Sequence, residues 1–289
     1  MMRFNEILIK DGILATYEIG TGPKLIFLHG GPGDTHHYLR PLAEKLKSHF
    51  TCILYDQRGS GSSQINERNS STLSLSSFFH DLDSIIEFYG ADRVNLFGHS
   101  WGAMLALFYN IARPNKVSKN AIVSIGPLTE KYGVMNAERR LSVLTASERD
   151  LSGSLRADRT IALKNKKFAE VYRLDNQLIR LTVKSWIYDP LIREDFLNSY
   201  FSEPPVDREL NKLVWESAQN FFDWNLLKKI SNPVWLCSGS HDPNPPDQIK
   251  ELESNLQNVE TLVLEKCGHI PWIEKPNVFF EAIIKFLHR

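Results

Sequence analysis

The sequence predicts an α/β fold in which helices flank a mostly parallel sheet of eight strands and a helical cap is inserted into that core. Three observations predict this architecture. Short apolar runs alternate along the chain with segments of helical periodicity, which is the order that a parallel sheet requires. Several of those runs lead directly into polar or glycine-containing turns. Finally, the segment 128–229 is rich in charge and helical in pattern, with no clear strand.

The strands follow from apolar runs bounded by turn residues, and the helices from apolar residues at helical spacing. The first two strands alternate in polarity and are predicted to form an antiparallel hairpin across Asp11 and Gly12. The predicted strands are 4–9, 13–19, 24–28, 51–55, 94–97, 120–123, 234–237 and 261–264. The predicted core helices are 38–48, 75–89, one directly after residue 102, 247–258 and 276–287.

The change of character near residue 128 predicts the domain organisation. We expect residues 1–127 and 230–289 to form the core, and 128–229 to form a helical cap inserted after the sixth core strand. A cap over the carboxyl edge of the sheet would exclude water from a site at that edge and shape its pocket.

The pentapeptide GHSWG at 98–102 is the most informative motif. It lies between a predicted buried strand and a predicted helix, and a G-x-S-x-G in that context is a nucleophile elbow. Gly98 and Gly102 are needed because a side chain at either position would collide with the crossing strand and helix. The motif makes Ser100 the candidate nucleophile.

A glycine-rich turn, HGGPG at 29–33, follows another apolar strand. A serine hydrolase needs backbone N–H groups directed at a developing oxyanion, one from the residue after the nucleophile and one from such a turn. Trp101 and Gly31 are therefore the predicted donors. A phosphate-binding loop is disfavoured, since neither the G-x-G-x-x-G spacing nor a Gly-Lys-Ser/Thr sequence is present.

Each of two later strands is followed by a turn that carries a side chain able to take part in acid–base catalysis. Asp242 follows the strand at 234–237, and His269 follows the last strand. The resulting order, Ser100, Asp242, His269, is the Ser…Asp…His order of one of the three common triads. Turns at the carboxyl edge of a parallel sheet converge, so these three side chains are predicted to meet.

These residues resemble the proline iminopeptidase (prolyl aminopeptidase) family of serine peptidases, which has the α/β-hydrolase fold. The resemblance covers roughly 5–127 and 230–289. The matching motifs are HGGPG at 29–33, YDQRGSG at 55–61, GHSWG at 98–102 and the Gly-His pair at 268–269. The chain departs from the family at Asp34, usually glycine; at Ser62, usually arginine; and at His99, a glycine in one branch.

The resemblance implies an aminopeptidase that releases an N-terminal residue, proline for example, from small peptides or amides. In that family, acidic residues of the cap bind the free α-ammonium. Glu216 is the first candidate for this role here and Glu203 the second, while Trp215 and Phe221 are candidates for an apolar substrate pocket. Pro243 follows Asp242, where one family branch has glutamate.

Two alternatives stay open. The same triad would serve a carboxylesterase or lactonase that acts on a small uncharged acyl substrate. A relative that has lost catalysis and only binds a ligand is the other alternative.

Composition narrows the remaining function classes. The 34 basic and 34 acidic side chains balance, so no nucleic-acid or membrane-surface partner is indicated. The N-terminal residues include no apolar stretch of signal-peptide length, and no segment of the chain has the length of a membrane span. The three scattered cysteines indicate neither a disulfide framework nor a metal site, so a cytoplasmic location is expected. The expected partner is a small-molecule or short-peptide substrate, with no cofactor and no metal.

Overall fold

A computed structural model describes residues 2–201, 206–218 and 221–289. Within these ranges the strands form one sheet in the order β1-β2-β4-β3-β6-β7-β8-β9, and β5 pairs with β2 beside that path. The strands are β1 (Arg3–Ile9), β2 (Gly12–Ile19), β3 (Lys24–Leu28), β4 (Thr51–Tyr55), β5 (Gln64–Ile65), β6 (Val94–His99), β7 (Val117–Val123), β8 (Val234–Gly239) and β9 (Val259–Leu264).

In the order of the sheet, each pair of neighbouring strands from β4 to β9 is parallel. Strand β2 is antiparallel to its neighbours β1, β4 and β5. The predicted mostly parallel sheet is therefore confirmed, and the short β5 is a ninth strand that the sequence analysis did not predict. The α-helices are α1 (Arg40–Leu46), α2 (Leu75–Phe88), α3 (Trp101–Ala112), α4 (Glu130–Ser142), α5 (Ala146–Lys164), α6 (Phe168–Thr182), α7 (Pro190–Phe201), α8 (Arg208–Ala218), α9 (Pro246–Asn255), α10 (Pro271–Glu274) and α11 (Pro276–His288).

Helices cover both faces of the sheet, so the central strands are buried on both sides. Successive residues of β6 show this: Leu96 belongs to the apolar cluster formed with α2, α3 and α9, while Phe97 belongs to the cluster formed with α1 and α11. This is why the central strands are continuous apolar runs rather than alternating ones. Because β6, β8 and β9 are parallel, their carboxyl ends lie at the same edge of the sheet, where the packed core holds them in place.

The described part of the segment between β7 and β8 contains the helices α4 to α8 and no strand. α5 begins with a capping box in which Thr145 and Glu148 bond each other's backbone N–H. α5 and α6 share a small apolar cluster of their own that includes Leu155 and Leu174. None of the helices in the described ranges combines the length and apolarity needed to cross a membrane.

The loop after β4 is held by buried charges. Asp56 Oδ1 lies 2.8 Å from His36 Nδ1, and the His36 ring stacks on Tyr17 at 3.7 Å between centroids. Arg58 forms a second buried pair with Asp81, at 2.6 Å. His36 is buried as well, and its ring is the partner of the buried Asp56 carboxylate.

Candidate active site

Ser100 occupies a strained turn between β6 and α3. Its backbone has φ 56° and ψ −117°, a conformation that residues other than glycine adopt rarely and at a cost of about 1–3 kcal/mol. Hydrogen bonds from Ser100 N to Val123 O (3.1 Å) and from Gly126 N to Ser100 O (3.1 Å) hold it there. A Cβ at Gly102 would lie 2.0 Å from the Leu28 carbonyl oxygen, so the turn can only close with glycine at this position.

Asp242 and His269 form a buried pair beyond the ends of β8 and β9. His269 Nδ1 lies 2.9 Å and 3.1 Å from the two carboxylate oxygens of Asp242, which is fully buried. Asp242 Oδ1 also accepts the Asn244 N–H at 2.8 Å. Since the carboxylate engages Nδ1, the other ring nitrogen of His269 is the one available for proton transfer.

Ser100 and His269 line the same cavity. The His99 ring, one residue before Ser100, lies 4.6 Å from the His269 ring between centroids. Ser100 Oγ makes no hydrogen bond to His269 or to any other residue in the described ranges. Contacts between a nucleophile and its base are often loose before substrate binds.

The glycine-rich turn lies directly beside Ser100. A Cβ added to Gly30 would lie 3.2 Å from Ser100 Cβ, and Gly31, at φ +108°, lines the cavity. Neither the Gly31 N–H nor the Trp101 N–H donates to another described residue. Both predicted donor groups, the N–H of Gly31 and the N–H of Trp101, therefore have no partner among the described residues, and they lie on the two backbone segments beside Ser100.

His29 braces this turn. Its Nδ1 lies 2.9 Å from Gly30 O, and its Nε2 accepts the Gln57 N–H at 2.9 Å. Burial lowers the pKa of His29 to about 4, so the ring is neutral at physiological pH. Gln57 also accepts the indole N–H of Trp101 at 2.9 Å, which joins the turn to the start of α3.

A chain of hydrogen bonds joins the glycine-rich turn to the His269 loop. Gly30 N–H donates to Tyr38 Oη (2.6 Å), Tyr38 O–H donates to His99 Nδ1 (2.9 Å), and His99 Nε2 donates to the His269 carbonyl oxygen (2.9 Å). The donors are assigned from the network, because a carbonyl oxygen can only accept. The sequence analysis did not find Tyr38, and no motif marks it.

The cavity has a volume of about 1180 Å³, slightly above the range of about 300–1,000 Å³ that is typical of small-molecule sites. One wall comes from the core and carries Ser100 and His269; the opposite wall comes from α4 to α8. Its charged lining comprises Arg140, Arg156, Arg159, Arg208 and Lys212 together with Asp34, Asp175 and Glu209.

Asp34 is an acidic cavity residue that the sequence analysis treated only as a departure from the family pattern. It follows the glycine-rich turn, and its Oδ1 accepts the Thr35 N–H at 2.8 Å. Burial raises its pKa to about 7, and the Arg208 guanidinium opposes that shift. Asp34 is thus a carboxyl group that changes charge near neutral pH at the edge of the site.

The four candidate substrate-binding residues do not all lie in the cavity. Trp215 lines the cavity and packs edge-on against Trp101, at 5.3 Å between ring centroids. Glu216 does not line it: its side chain is 53% exposed and lies 3.7 Å from Lys212 Nζ. Phe221 does not line it either, because its ring packs into the core against Phe79 and Phe108. Glu203 lies outside the described residues.

The expected roles of Glu216 and Phe221 therefore need correction. On α8, neighbouring side chains project about 100° apart, so the face that directs Trp215 into the cavity directs Glu216 towards solvent. Within the described residues, no group of three or more His, Cys, Asp or Glu side chains is arranged to hold a metal ion.

Comparison with known proteins gives consistent matches. A family model described as the alpha/beta hydrolase fold matches residues 23–276. A proline iminopeptidase of Lactobacillus delbrueckii subsp. bulgaricus is 26% identical over 99% of both chains. A proline iminopeptidase of Heyndrickxia coagulans is 29% identical over 94% of this chain and 92% of its own. The crystal structure of VinJ superposes with a TM-score of 0.80 at 22% identity, covering 99% of this chain and 98% of VinJ.

Proposed function

We propose that this chain, which belongs to the α/β-hydrolase family, is a serine hydrolase that uses Ser100, His269 and Asp242. One observation carries the proposal: a serine on a strained turn and a histidine held by a buried carboxylate line the same cavity. The helices α4 to α8, which form the opposite wall, would act as its cap.

In the proposed mechanism, His269 Nε2 removes the proton of Ser100 as Oγ attacks the substrate carbonyl carbon. Asp242 stabilises the imidazolium that forms. The carbonyl oxygen becomes an oxyanion and accepts the N–H groups of Gly31 and Trp101, each worth about 3 kcal/mol of barrier lowering. His269 then donates its proton to the leaving group, and an acyl ester on Ser100 remains. A water molecule, deprotonated by His269, hydrolyses that ester.

We further propose that the substrate carries a free α-ammonium group and that the enzyme is an aminopeptidase. The two curated relatives are named proline iminopeptidases. An α-ammonium group needs an anionic partner next to the nucleophile. Asp34 is the carboxyl group best situated for it, since it lies on the loop of Gly31 and lines the cavity. A bound ammonium would favour the ionised form of Asp34.

A carboxylesterase or lactonase is the second candidate. The observation that favours it is the location of Glu216, whose carboxylate is exposed and lies outside the cavity lining. An uncharged acyl substrate would not need an anionic partner, and the same triad would process it.

The first experiment tests the nucleophile. A fluorophosphonate probe should label the wild-type protein and should not label Ser100→Ala. The matched control is Ser254→Ala, which removes an exposed hydroxyl on α9 and should be labelled like the wild type. Equal labelling of all three proteins would refute the proposal, and absence of labelling in the wild type would favour a non-catalytic relative.

The second experiment tests the substrate class. Prolyl-p-nitroanilide should be cleaved, while its N-acetyl derivative, which lacks the ammonium group, should not. Asp34→Asn should lower kcat/KM for the free amine about 10- to 100-fold, the value of a charge-assisted hydrogen bond, and should leave p-nitrophenyl butyrate hydrolysis within a factor of three. Turnover of the ester without turnover of any aminoacyl anilide would refute the aminopeptidase and support the esterase.

A further inference from the structure

The cationic side chains of the cavity are not all neutralised. Asp175 lies 2.7 Å from Arg159 and 3.8 Å from Arg208, and Lys212 lies 3.7 Å from Glu216. These contacts leave two of the cavity arginines, Arg140 and Arg156, without a salt bridge among the described residues.

Arg140 is the more informative of the two. Its Nε is buried and has no hydrogen-bond partner among the described residues, and its guanidinium lies 5.8 Å from the centroid of the Trp186 ring. Burial lowers its pKa to about 10, so the group remains charged at neutral pH. The charge of Asp242 attracts this guanidinium but forms no salt bridge with it among the described residues, so an anion bound in the cavity would supply the direct partner that Arg140 lacks.

Arg156 adds a second cation to the same cavity. Its one described hydrogen bond, from Nε to Ser152 Oγ, is long at 3.5 Å. Arg208 and Arg156 both repel Arg140 electrostatically, which lowers the pKa of Arg140 further beyond the effect of burial. One guanidinium can bind a carboxylate through two parallel N–H···O bonds, and a second cation in the same cavity adds to the attraction for an anion.

The contacts of Arg140 also indicate which part of a substrate it would meet. Trp186, on which its guanidinium rests, accepts the His269 backbone N–H through its carbonyl oxygen at 2.6 Å. In the proposed mechanism His269 protonates the leaving group, so the leaving group has to lie next to His269 and thus on the side of Trp186. Asp34 lies elsewhere, on the loop that carries Gly31.

We propose that Arg140, assisted by Arg156, forms a subsite for a carboxylate on the leaving group, so that the preferred substrates are short peptides with a free C-terminus. The proposal rests on the proposed function of Ser100 and specifies its substrate class. An ammonium group at Asp34 and a carboxylate at Arg140 would together select a zwitterion, the form in which a dipeptide exists at neutral pH.

The test compares paired substrates that differ only in this charge. Release of glycine from prolylglycine and of glycinamide from prolylglycinamide is measured for the wild type, Arg140→Gln, Arg140→Lys and Arg173→Gln. Arg173 is an exposed arginine on α6 and serves as the charge-matched control. We expect the wild type and Arg173→Gln to prefer the acid at least 10-fold in kcat/KM, Arg140→Gln to show a ratio near one, and Arg140→Lys to lie between them.

A second pair of substrates keeps the test independent of peptide cleavage. Butyrate esters of 3-hydroxybenzoate and 3-hydroxybenzamide carry the same acyl group, and only the first has a carboxylate on its leaving group. Arg140→Gln should lower the acid-to-amide ratio of kcat/KM about 10-fold relative to the wild type. Thermal unfolding of Arg140→Gln should occur at or above the wild-type temperature, because a buried unpaired charge has been removed.

The outcomes separate the two proposals. An acid-to-amide ratio that is near one in the wild type, or unchanged in Arg140→Gln, for the substrates that turn over would overturn the anion subsite while Ser100 remains reactive to the fluorophosphonate. Ester turnover with the predicted ratios but no dipeptide cleavage would support the subsite and refute the aminopeptidase. A protein that neither reacts with the probe nor cleaves any of the four substrates would refute both.

Discussion

The substitution Asp34→Asn should change how the stability of the protein depends on pH. Burial raises the pKa of Asp34 from its ordinary 3.8 to about 7, although the Thr35 N–H and the nearby Arg208 favour the ionised form. Asp56, Tyr38 and Tyr200 are the other titratable groups that interact with it. At a pH between 3.8 and about 7, Asp34 has lost its proton in the unfolded chain but still holds it in the folded chain.

The sign of the effect follows from that difference. Since the folded state binds more protons, the free energy of unfolding falls as the pH rises, by about 1.4 kcal/mol per pH unit over roughly three units. The total is about 4 kcal/mol, reached near pH 7 and constant above it. An asparagine cannot ionise, and its side-chain oxygen can still accept the Thr35 N–H, so the variant should escape this loss.

The assay is urea unfolding of both proteins at pH 5, 6, 7 and 8, in matched ionic strength. The variant-minus-wild-type difference in the free energy of unfolding should increase by about 3 kcal/mol from pH 5 to pH 8, with most of the change below pH 7. Burial also raises the pKa of Asp81, to about 6, and the pKa of Glu274, but both groups are present in both proteins and cancel in the difference. A difference that is constant across this range would show that Asp34 ionises normally, and the reasoning would be refuted.

Three further substitutions test the site and its supports. Asp242→Asn should reduce kcat about 10⁴-fold with unchanged unfolding, as expected when the base loses its orienting carboxylate; a loss below 10-fold would contradict that role. Gly102→Ala places a Cβ 2.0 Å from the Leu28 carbonyl oxygen, so its urea midpoint should fall by the equivalent of 3 kcal/mol or more, and an unchanged midpoint would contradict the close approach. Arg58→Leu leaves Asp81 buried without its partner and should cost about 3–5 kcal/mol near pH 7, and about 1 kcal/mol less at pH 5, where Asp81 is protonated in the wild type as well.

Much of the fold could be predicted because most of its core strands contain a run of several apolar residues. β3 and β4 agree residue for residue with the predicted 24–28 and 51–55. The prediction was short at the start of β7, where half-buried Ser118 and Lys119 interrupt the apolar run. β5 was not predicted, because two residues carry no periodicity and its existence depends on pairing with β2.

In the candidate site too, some residues could be predicted from the sequence and others could not. Ser100 was predictable from its flanking glycines, because backbone close approach leaves a signature in the sequence itself. Arg140 and Asp34 carry no such signature: one lies on an inserted helix and the other beyond the glycine-rich turn, and only tertiary packing brings both to one cavity. The adjacent Trp215 and Glu216 make the same point, since their helix alone does not reveal which of them faces inward.

Two histidine rings lie in contact beside Ser100, and their partners explain why only one of them can act as the base. Both ring nitrogens of His99 are used, one by the Tyr38 hydroxyl and one by the His269 carbonyl oxygen. Burial lowers the pKa of His99 well below its usual value, and the proximity of His269 lowers it further. His269 instead has a carboxylate on one nitrogen, which would compensate the charge that it acquires in the proposed reaction. A neutral His99 would therefore position the His269 loop without competing for the proton, and the neighbouring imidazole would become cationic without facing a second positive charge.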